Sequence, residues 1–246
     1  MNKFFVMPDR FVKLILLLGC LLLISPLSAQ DPVTQNPYSY KSDDPNGIGK
    51  WYQGREIARV MSYLGIRWLE RSSRQEEENT QKLINNMDLQ ADDVVADIGA
   101  GSGYHVFRMA PRVPEGTVYA VDIQDEMLVA LRRKKKELGV ENVEVVKGSD
   151  QDINIPASTL DKVLMVDVYH ELEFPVEMMA SVKKALKKNG EVFLIEYRGE
   201  DQSVPIKKLH KMTEKQAVRE MKAAGFKLKE NIGNLPWQHC MIFVKG

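Results

Sequence analysis

The sequence predicts an α/β fold: a seven-stranded, mostly parallel sheet with helices on both faces and an antiparallel hairpin at the C-terminal end. Three observations lead there. Short apolar, β-branched runs recur through the middle of the chain, and stretches with helical spacing separate them. Alternating strands and helices build parallel sheets, because parallel neighbours need a long crossover connection. The final segment breaks this rhythm with two strand-like runs joined by a short loop, which must pair antiparallel.

The elements follow in chain order. Residues 1–29 have the layout of an export signal: Lys3, Arg10 and Lys13 precede an apolar run over residues 14–24, and Ser25, Pro26, Leu27, Ser28 and Ala29 follow. That run is shorter than the ~20 residues a membrane-spanning helix needs. Cleavage after Ala29 is therefore expected, leaving no stable membrane span and a protein exported to the periplasm or envelope. An uncleaved anchor and a lipidated Cys20 are the other readings. Residues 30–50, rich in Pro, Asn, Asp, Ser and Gly, read as an extended linker.

Residues 51–90 read as an N-terminal helical segment. Ile57, Val60, Met61, Leu64 and Trp68 recur at three- and four-residue spacing from Gly54 onward, and the charged stretch "ERSSRQEEENTQ" leads into a second short helix ending near Met87. Residues 91–246 then form one domain. Strands are expected at 94–98, 118–121, 143–146, 162–166 and 192–197, with helices at 103–110, 125–138 and 175–188 between them. The last of these helices should end at Asn189 and Gly190. Thr213, with Glu214 and Gln216 in the first turn, opens a helix over 213–224, and the closing strands lie in 225–233 and 238–246. No internal repeat is present.

Composition narrows the function. Hydrophobic residues make up 44% of 246, enough for a sizeable core, and 34 basic residues balance 34 acidic ones. Nothing in that balance marks a nucleic-acid partner. The densest basic run, residues 132–136, falls on the solvated face of the 125–138 helix, where Met127, Leu128, Leu131 and Leu138 supply the apolar side. Beyond residue 29 the single cysteine, Cys240, sits among apolar residues and reads as a buried structural thiol. The four histidines, 105, 170, 210 and 239, are scattered, and no His/Cys cluster has metal-ligand spacing, so no metal is expected.

The stretch "ADIGAGSGYH" carries the chemistry. A dinucleotide loop reads G-x-G-x-x-G, with the third glycine bringing helix and strand together at a pyrophosphate. Here Gly99, Gly101 and Gly103 are spaced G-x-G-x-G, and Tyr104 stands where that pattern needs glycine. Asp97, two residues before the loop, would repel a diphosphate and attract a cation. Asp122 ends the next strand, within reach of two ribose hydroxyls that a carboxylate accepts together.

"VVADIGAGSGYHVFRMA", "GTVYAVDIQDEML", "LDKVLMVDVYHEL" and "ALKKNGEVFLIEYRGED" closely resemble the successive motifs of class I S-adenosylmethionine-dependent methyltransferases, from about residue 75 to the end. Within that superfamily the chain resembles small-molecule-type bacterial domains that often carry an export signal. The resemblance implies a Rossmann-like fold and S-adenosylmethionine as cofactor. It places Asp97, Gly99, Gly101 and Gly103 at the methionine end, Asp122 at the ribose, and Ile123 on the adenine. The family's adenine-reading acid is absent from its usual place or displaced; Asp150 is the candidate, with Gln151 and Asp152 as rivals.

Methyl transfer needs chiefly an acceptor lone pair held in line with the carbon–sulfur bond, and a general base where the acceptor carries a proton. His170, at the carboxyl end of the fourth strand, is the candidate base; the competing reading has it packing or hydrogen-bonding at a helix start. Asp167, Tyr169, Tyr197 and Arg198 are candidates for binding a small-molecule acceptor. Glu196, His210 and His239 serve either there or as satisfied polar residues. Three rival functions stand beside methyl transfer: a nicotinamide oxidoreductase, a non-catalytic binding module on this fold, and repair of isomerised aspartyl residues.

Overall fold

The chain divides into two units, residues 1–36 and 37–246. The structure is a computed structural model describing residues 1–3 and 36–246. The expected export signal and its cleavage point lie outside the described residues. No helix among the described residues is long and apolar enough to cross a membrane.

The second unit begins with a correction. Its first residues are not linker but a three-stranded antiparallel sheet of β1 (Tyr38–Tyr40), β2 (Gly47–Tyr52) and β3 (Arg55–Ala58), in that order. The turn-forming residues that looked like linker are its connections. Asp44 accepts from the Asn46 and Gly47 backbone N–H groups at 2.8 and 2.9 Å, closing the first turn. Gln53 and Gly54 both have positive φ, 50° and 84°, and form the two-residue hairpin whose twist suits paired strands.

The helix expected from Gly54 is therefore absent. Ile57 is buried in β3, whereas Val60, Leu64 and Trp68 are exposed, so their spacing did not mark one packed face. A 3₁₀ turn at Tyr63–Gly65 and the short helices α1 (Ile66–Leu69), α2 (Arg74–Glu78) and α3 (Thr80–Asn86) follow. The last ends at Met87 as expected.

The main sheet runs β6-β5-β4-β7-β8-β10-β9, built from β4 (Val94–Ile98), β5 (Thr117–Asp122), β6 (Val143–Lys147), β7 (Leu160–Val166), β8 (Leu186–Tyr197), β9 (Phe226–Asn231) and β10 (Gln238–Lys245). The first five of these strands pair parallel, and β10 pairs antiparallel with both β8 and β9. Helices α4 (Val106–Met109), α5 (Asp125–Leu138), α6 (Pro175–Ala185) and α7 (Glu214–Ala223) complete the fold.

Two expected boundaries move. Helix α4 is shorter than 103–110, because Gly103 at φ 78° holds the loop in a left-handed turn before the helix begins. Helix α6 stops before Asn189 and Gly190, which lie inside β8 next to a register irregularity facing Leu160 and Lys162; a Cβ at Gly190 would meet the Asp161 carbonyl oxygen at 2.9 Å.

Strand alternation sends side chains to two cores. Ala96, Ile98, Val163, Met165, Leu194 and Met241 face one, and Val95, Leu164, Phe193, Ile195 and Ile242 face the other. Cys240 lies in the second, its thiol pushed up to about 11 by burial, as a structural cysteine should be. On α5, Met127, Leu128 and Leu131 are buried and the basic run meets solvent, although Leu138 is exposed as well.

The chain reverses its direction of sheet growth between β4 and β7, which leaves a crevice at their carboxyl ends. The small N-terminal sheet is tied beside that crevice by Arg55. Its guanidinium grips both Glu220 oxygens at 2.8 and 2.9 Å, joining β3 to α7, and donates to the His170 carbonyl at 2.9 Å. Removing one partner of a buried pair costs about 3–5 kcal/mol, whereas replacing both with apolar groups is often neutral. Arg55→Ala should therefore lower the unfolding free energy by roughly that amount in urea titrations. Arg55→Leu combined with Glu220→Leu should recover most of the loss.

Candidate functional site

The glycine loop follows β4 and folds back on the end of β5. Gly99 and Ala100 N–H both reach the Val121 carbonyl, at 2.9 and 3.0 Å, and Gly101 N–H donates to Asp122 Oδ2 at 2.8 Å. This path requires positive φ at each glycine: 72°, 52° and 78° at Gly99, Gly101 and Gly103. Space excludes side chains too. A Cβ at Gly99 would lie 2.5 Å from Val168 Cγ2, and one at Gly101 would lie 2.8 Å from Leu69 Cδ1. Gly103 packs on Phe107 and Leu131 behind the loop and is not among the residues lining the cleft at this crevice; its part is to turn the chain. Tyr104 is buried there, with Arg108 and Arg74 guanidinium carbons 3.7 and 4.3 Å from its ring centre.

A cleft of about 220 Å³ opens at this crevice, and Gly99, Gly101, Asp122, Ile123, Asp150 and Asp167 all line it. Asp122 Oδ1 accepts from Gln124 N–H at 2.9 Å and Oδ2 from Gly101 N–H. A carboxylate has about four lone-pair sites, so each oxygen can accept once more. Burial raises the Asp122 carboxyl, while the backbone N–H groups of Gln124, Gly101 and Ile123 oppose the rise. Ile123, 47% exposed, presents an apolar face on this wall that a flat apolar group could cover. Asp150 is exposed on the same wall. Its rival Asp152 also lines the cleft, with its Oδ1 engaged by Ser181 and Asn154 at 2.7 and 2.8 Å; Gln151 does not line the cleft.

Asp97 lies beneath the loop rather than on the cleft wall. Its carboxyl is almost wholly buried, and Oδ2 has no hydrogen-bond partner. Burial pushes it up to about 7; Arg74 opposes this, and Asp122 adds to it. An unpartnered buried carboxyl oxygen is costly and marks a place that a donor or cation would complete. Arg74 is a cleft residue that sequence reasoning missed. It lies in the stretch read only as charged, yet it is buried, lines the cleft and pairs with Glu78 at 2.7 Å. The i,i+4 spacing of Arg74 and Glu78 was the available signal.

A second cleft of about 500 Å³ adjoins the first and shares Val60, Met61, Trp68, Asp167 and Glu171 with it. His170, Tyr197, Lys207 and His210 line it too. Asp167 follows β7 with φ 52°, a conformation uncommon outside glycine, and its Oδ2 accepts from Gln238 at 2.7 Å while Oδ1 has no partner. Burial, with the Glu78 and Glu196 carboxylates beside it, holds the Asp167 carboxyl well above the usual range against the pull of Arg74. Tyr197 donates its hydroxyl to Glu78 at 2.8 Å.

His170 sits in a 3₁₀ turn, Tyr169–Glu171, and both of its ring nitrogens are engaged. Nδ1 is 2.6 Å from Glu196 Oε2, and Nε2 is 3.1 Å from His210 Nδ1. Burial works against a charged imidazole, but the charge and hydrogen bond of Glu196, with Glu171 behind them, outweigh it and raise the His170 pKa. His170 therefore stands within a cluster and not alone. Two of the histidines that look scattered in the sequence are neighbours, with Glu171 between them, so linear spacing was a poor guide to a metal-ligand cluster here.

Two expected acceptor-binding residues are corrected. Tyr169 is fully buried and lines neither cleft, because its place in the 3₁₀ turn sends the ring into the core. Arg198 spends its guanidinium on the Pro236 and Leu235 carbonyls at 2.7 and 2.8 Å and clamps the loop before β10. His239 is satisfied by Glu200 and Asn231 at 2.9 and 3.0 Å, away from both clefts.

Residues 89–238 match the family described as a methyltransferase domain. The chain is similar to the uncharacterized methyltransferase YdaC of Bacillus subtilis, 28% identical over 59% of this chain and 78% of that one. It is similar to the protein-L-isoaspartate O-methyltransferase of Ignicoccus hospitalis at 36% identity, over 34% of this chain and 40% of that one. Its fold is similar to a SAM-dependent methyltransferase structure from Aquifex aeolicus, with a TM-score of 0.71 and 24% identity over 75% of this chain and 98% of that one.

Asp97 yields a sign-definite expectation for the ligand-free protein. Its folded pKa, about 7, lies above the ordinary carboxyl value of 3.8, so its contribution to stability is complete below the lower value and is lost progressively as pH rises from there through 7. Asp97→Asn carries no charge to bury, and at pH 8 it should exceed the parent chain in stability by on the order of 2–4 kcal/mol. At pH 5 most of that advantage should vanish. Urea unfolding at the two pH values measures both.

Proposed function

The chain belongs to the methyltransferase-domain family, and from that premise we propose that it transfers a methyl group from S-adenosylmethionine to a small-molecule acceptor by in-line displacement. The observation that carries this reading is the pair of adjoining clefts with Asp167, Glu171, Met61 and Trp68 in common. One cleft is lined by the residues that a nucleoside-bearing cation needs, and the other by titratable groups.

In this reading the first cleft holds the cofactor. Asp122 takes the ribose hydroxyls on its free lone pairs, Ile123 covers the adenine, and Asp150 meets the adenine amine. Gly99 and Gly101 let the methionine portion approach the backbone closely. Asp97 supplies the negative charge for the ammonium group, directly or through water, and Arg74 faces the carboxylate. When bound, S-adenosylmethionine supplies a methyl carbon already activated by a cationic sulfur.

What remains for the protein is orientation, where effective molarities allow about 7–11 kcal/mol. The second cleft holds the acceptor, with Tyr197 on its wall and Asp167 where the two clefts meet. The cluster of Glu196, His170, His210 and Glu171 manages the acceptor's proton. Met61 and Trp68 restrict water at the boundary, which strengthens each electrostatic contact inside.

Calorimetric titration of the full-length chain with S-adenosylmethionine, and with its demethylated product, tests the cofactor cleft. Micromolar affinity is expected, with a loss of tenfold or more in Asp122→Ala. A folded chain that binds neither compound would turn the reading to a non-catalytic module on this fold. We also propose export, from the layout of residues 1–29. N-terminal sequencing of the mature protein should find Gln30 first, whereas an intact Met1 would mean that the apolar run is retained.

A further inference from the structure

We propose that His170, Glu171 and His210 form a binding site for a divalent transition-metal ion in the wall of the second cleft. One atom from each residue defines the site: His170 Nε2, His210 Nδ1 and Glu171 Oε1. Their separations are 3.1 Å between the two nitrogens, 3.4 Å from His210 to Glu171 and 3.8 Å from His170 to Glu171. Metal bonds of about 2.0–2.1 Å in tetrahedral geometry put ligand atoms roughly 3.3–3.4 Å apart, so these three atoms already form one face of such a polyhedron.

The surroundings support the same assignment. Glu196, fully buried, holds His170 Nδ1 at 2.6 Å and accepts the His170 backbone N–H at 3.2 Å. A carboxylate on one imidazole nitrogen fixes the proton there and leaves a directed lone pair on the other, which is how metal-binding histidines are oriented. The Arg55 bond to the His170 carbonyl fixes the turn from outside, and Met61 N–H donates to Glu171 Oε1 at 3.2 Å, leaving that oxygen one further lone pair.

Two imidazoles and one carboxylate favour zinc or a neighbouring first-row ion over Mg²⁺ or Ca²⁺, which prefer oxygen ligands throughout. Three protein ligands leave at least one coordination position, and it opens into the cleft lined by Lys207 and Tyr197. Water or an oxygen donor of the acceptor would complete the shell. Ion binding stands on the geometry alone; the role towards the acceptor rests on the methyl-transfer reading.

The test uses the full-length chain, purified without a polyhistidine tag and stripped with a chelator. Titration with Zn²⁺ should show one ion per chain, Mg²⁺ in excess should not compete, and Co²⁺ should give the intense visible absorption of a low-coordinate site. His210→Ala and Glu171→Gln should each weaken Zn²⁺ binding at least tenfold. His239→Ala, which alters a histidine outside the cluster, should leave it unchanged. Failure of the parent chain to take up Zn²⁺ or Co²⁺ stoichiometrically overturns the proposal, as does uptake indifferent to the two cluster substitutions in variants whose circular dichroism matches the parent. S-adenosylmethionine titrations on the same samples keep the two readings apart. A chain that binds the ion but not the cofactor supports this site and sinks methyl transfer, and the reverse result sinks this site alone.

Discussion

The hydrogen bond from Gly101 N–H to the Asp122 carboxylate is the interaction on which the first cleft depends. It ties the loop after β4 to the end of β5, and it points an acidic group into the crevice instead of letting it turn to solvent. The two bonds from Gly99 and Ala100 to the Val121 carbonyl draw the loop down onto the sheet, and left-handed glycines are the only residues that follow that path cheaply. Asp97 is sealed beneath as a result. Burial of an acid with an unpartnered oxygen is a local debit that a folded protein carries only where something else offsets it.

Much of this was legible because it is local. Spacing of the glycines, the acid two residues earlier and the strand-end Asp122 are all consequences of one strand–loop–helix–strand unit, and the core strands announced themselves as apolar runs alternating with helical stretches. The N-terminal sheet was not legible. Gln53 and Gly54 make a hairpin only because β2 and β3 pair around them, and the apolar residues that follow Gly54 show a convincing helical spacing when read alone. Tertiary pairing overrode local periodicity there.

The same limit explains the misplaced site residues. Tyr169 and His170 are adjacent, yet the 3₁₀ turn sends one ring to the core and the other towards a cleft. His210 stands far along the chain from His170, and its ring arrives beside it through the 3₁₀ turn at Lys208–His210. Arg74 and Glu78 look like ordinary surface charges until the fold buries them against Asp97 and Tyr197. Carboxyl groups from three separate segments thus converge: Glu78, Asp167 and Glu196. Arg74 and Arg71 are the cations set against that crowding. Such convergence appears in no window of the sequence.

The wall of Val60, Met61 and Trp68 belongs to both clefts, and it hangs on the short stretch from the end of β3 through α1 rather than on the main sheet. A ligand on either side that shifts this wall changes the shape offered to the other. Linkage then demands reciprocity: whatever one occupant adds to the affinity of its neighbour, it receives back in equal measure, irrespective of which arrives first. Product departure obeys the same bookkeeping, so a wall that helps assemble two occupants also links the release of each to the other.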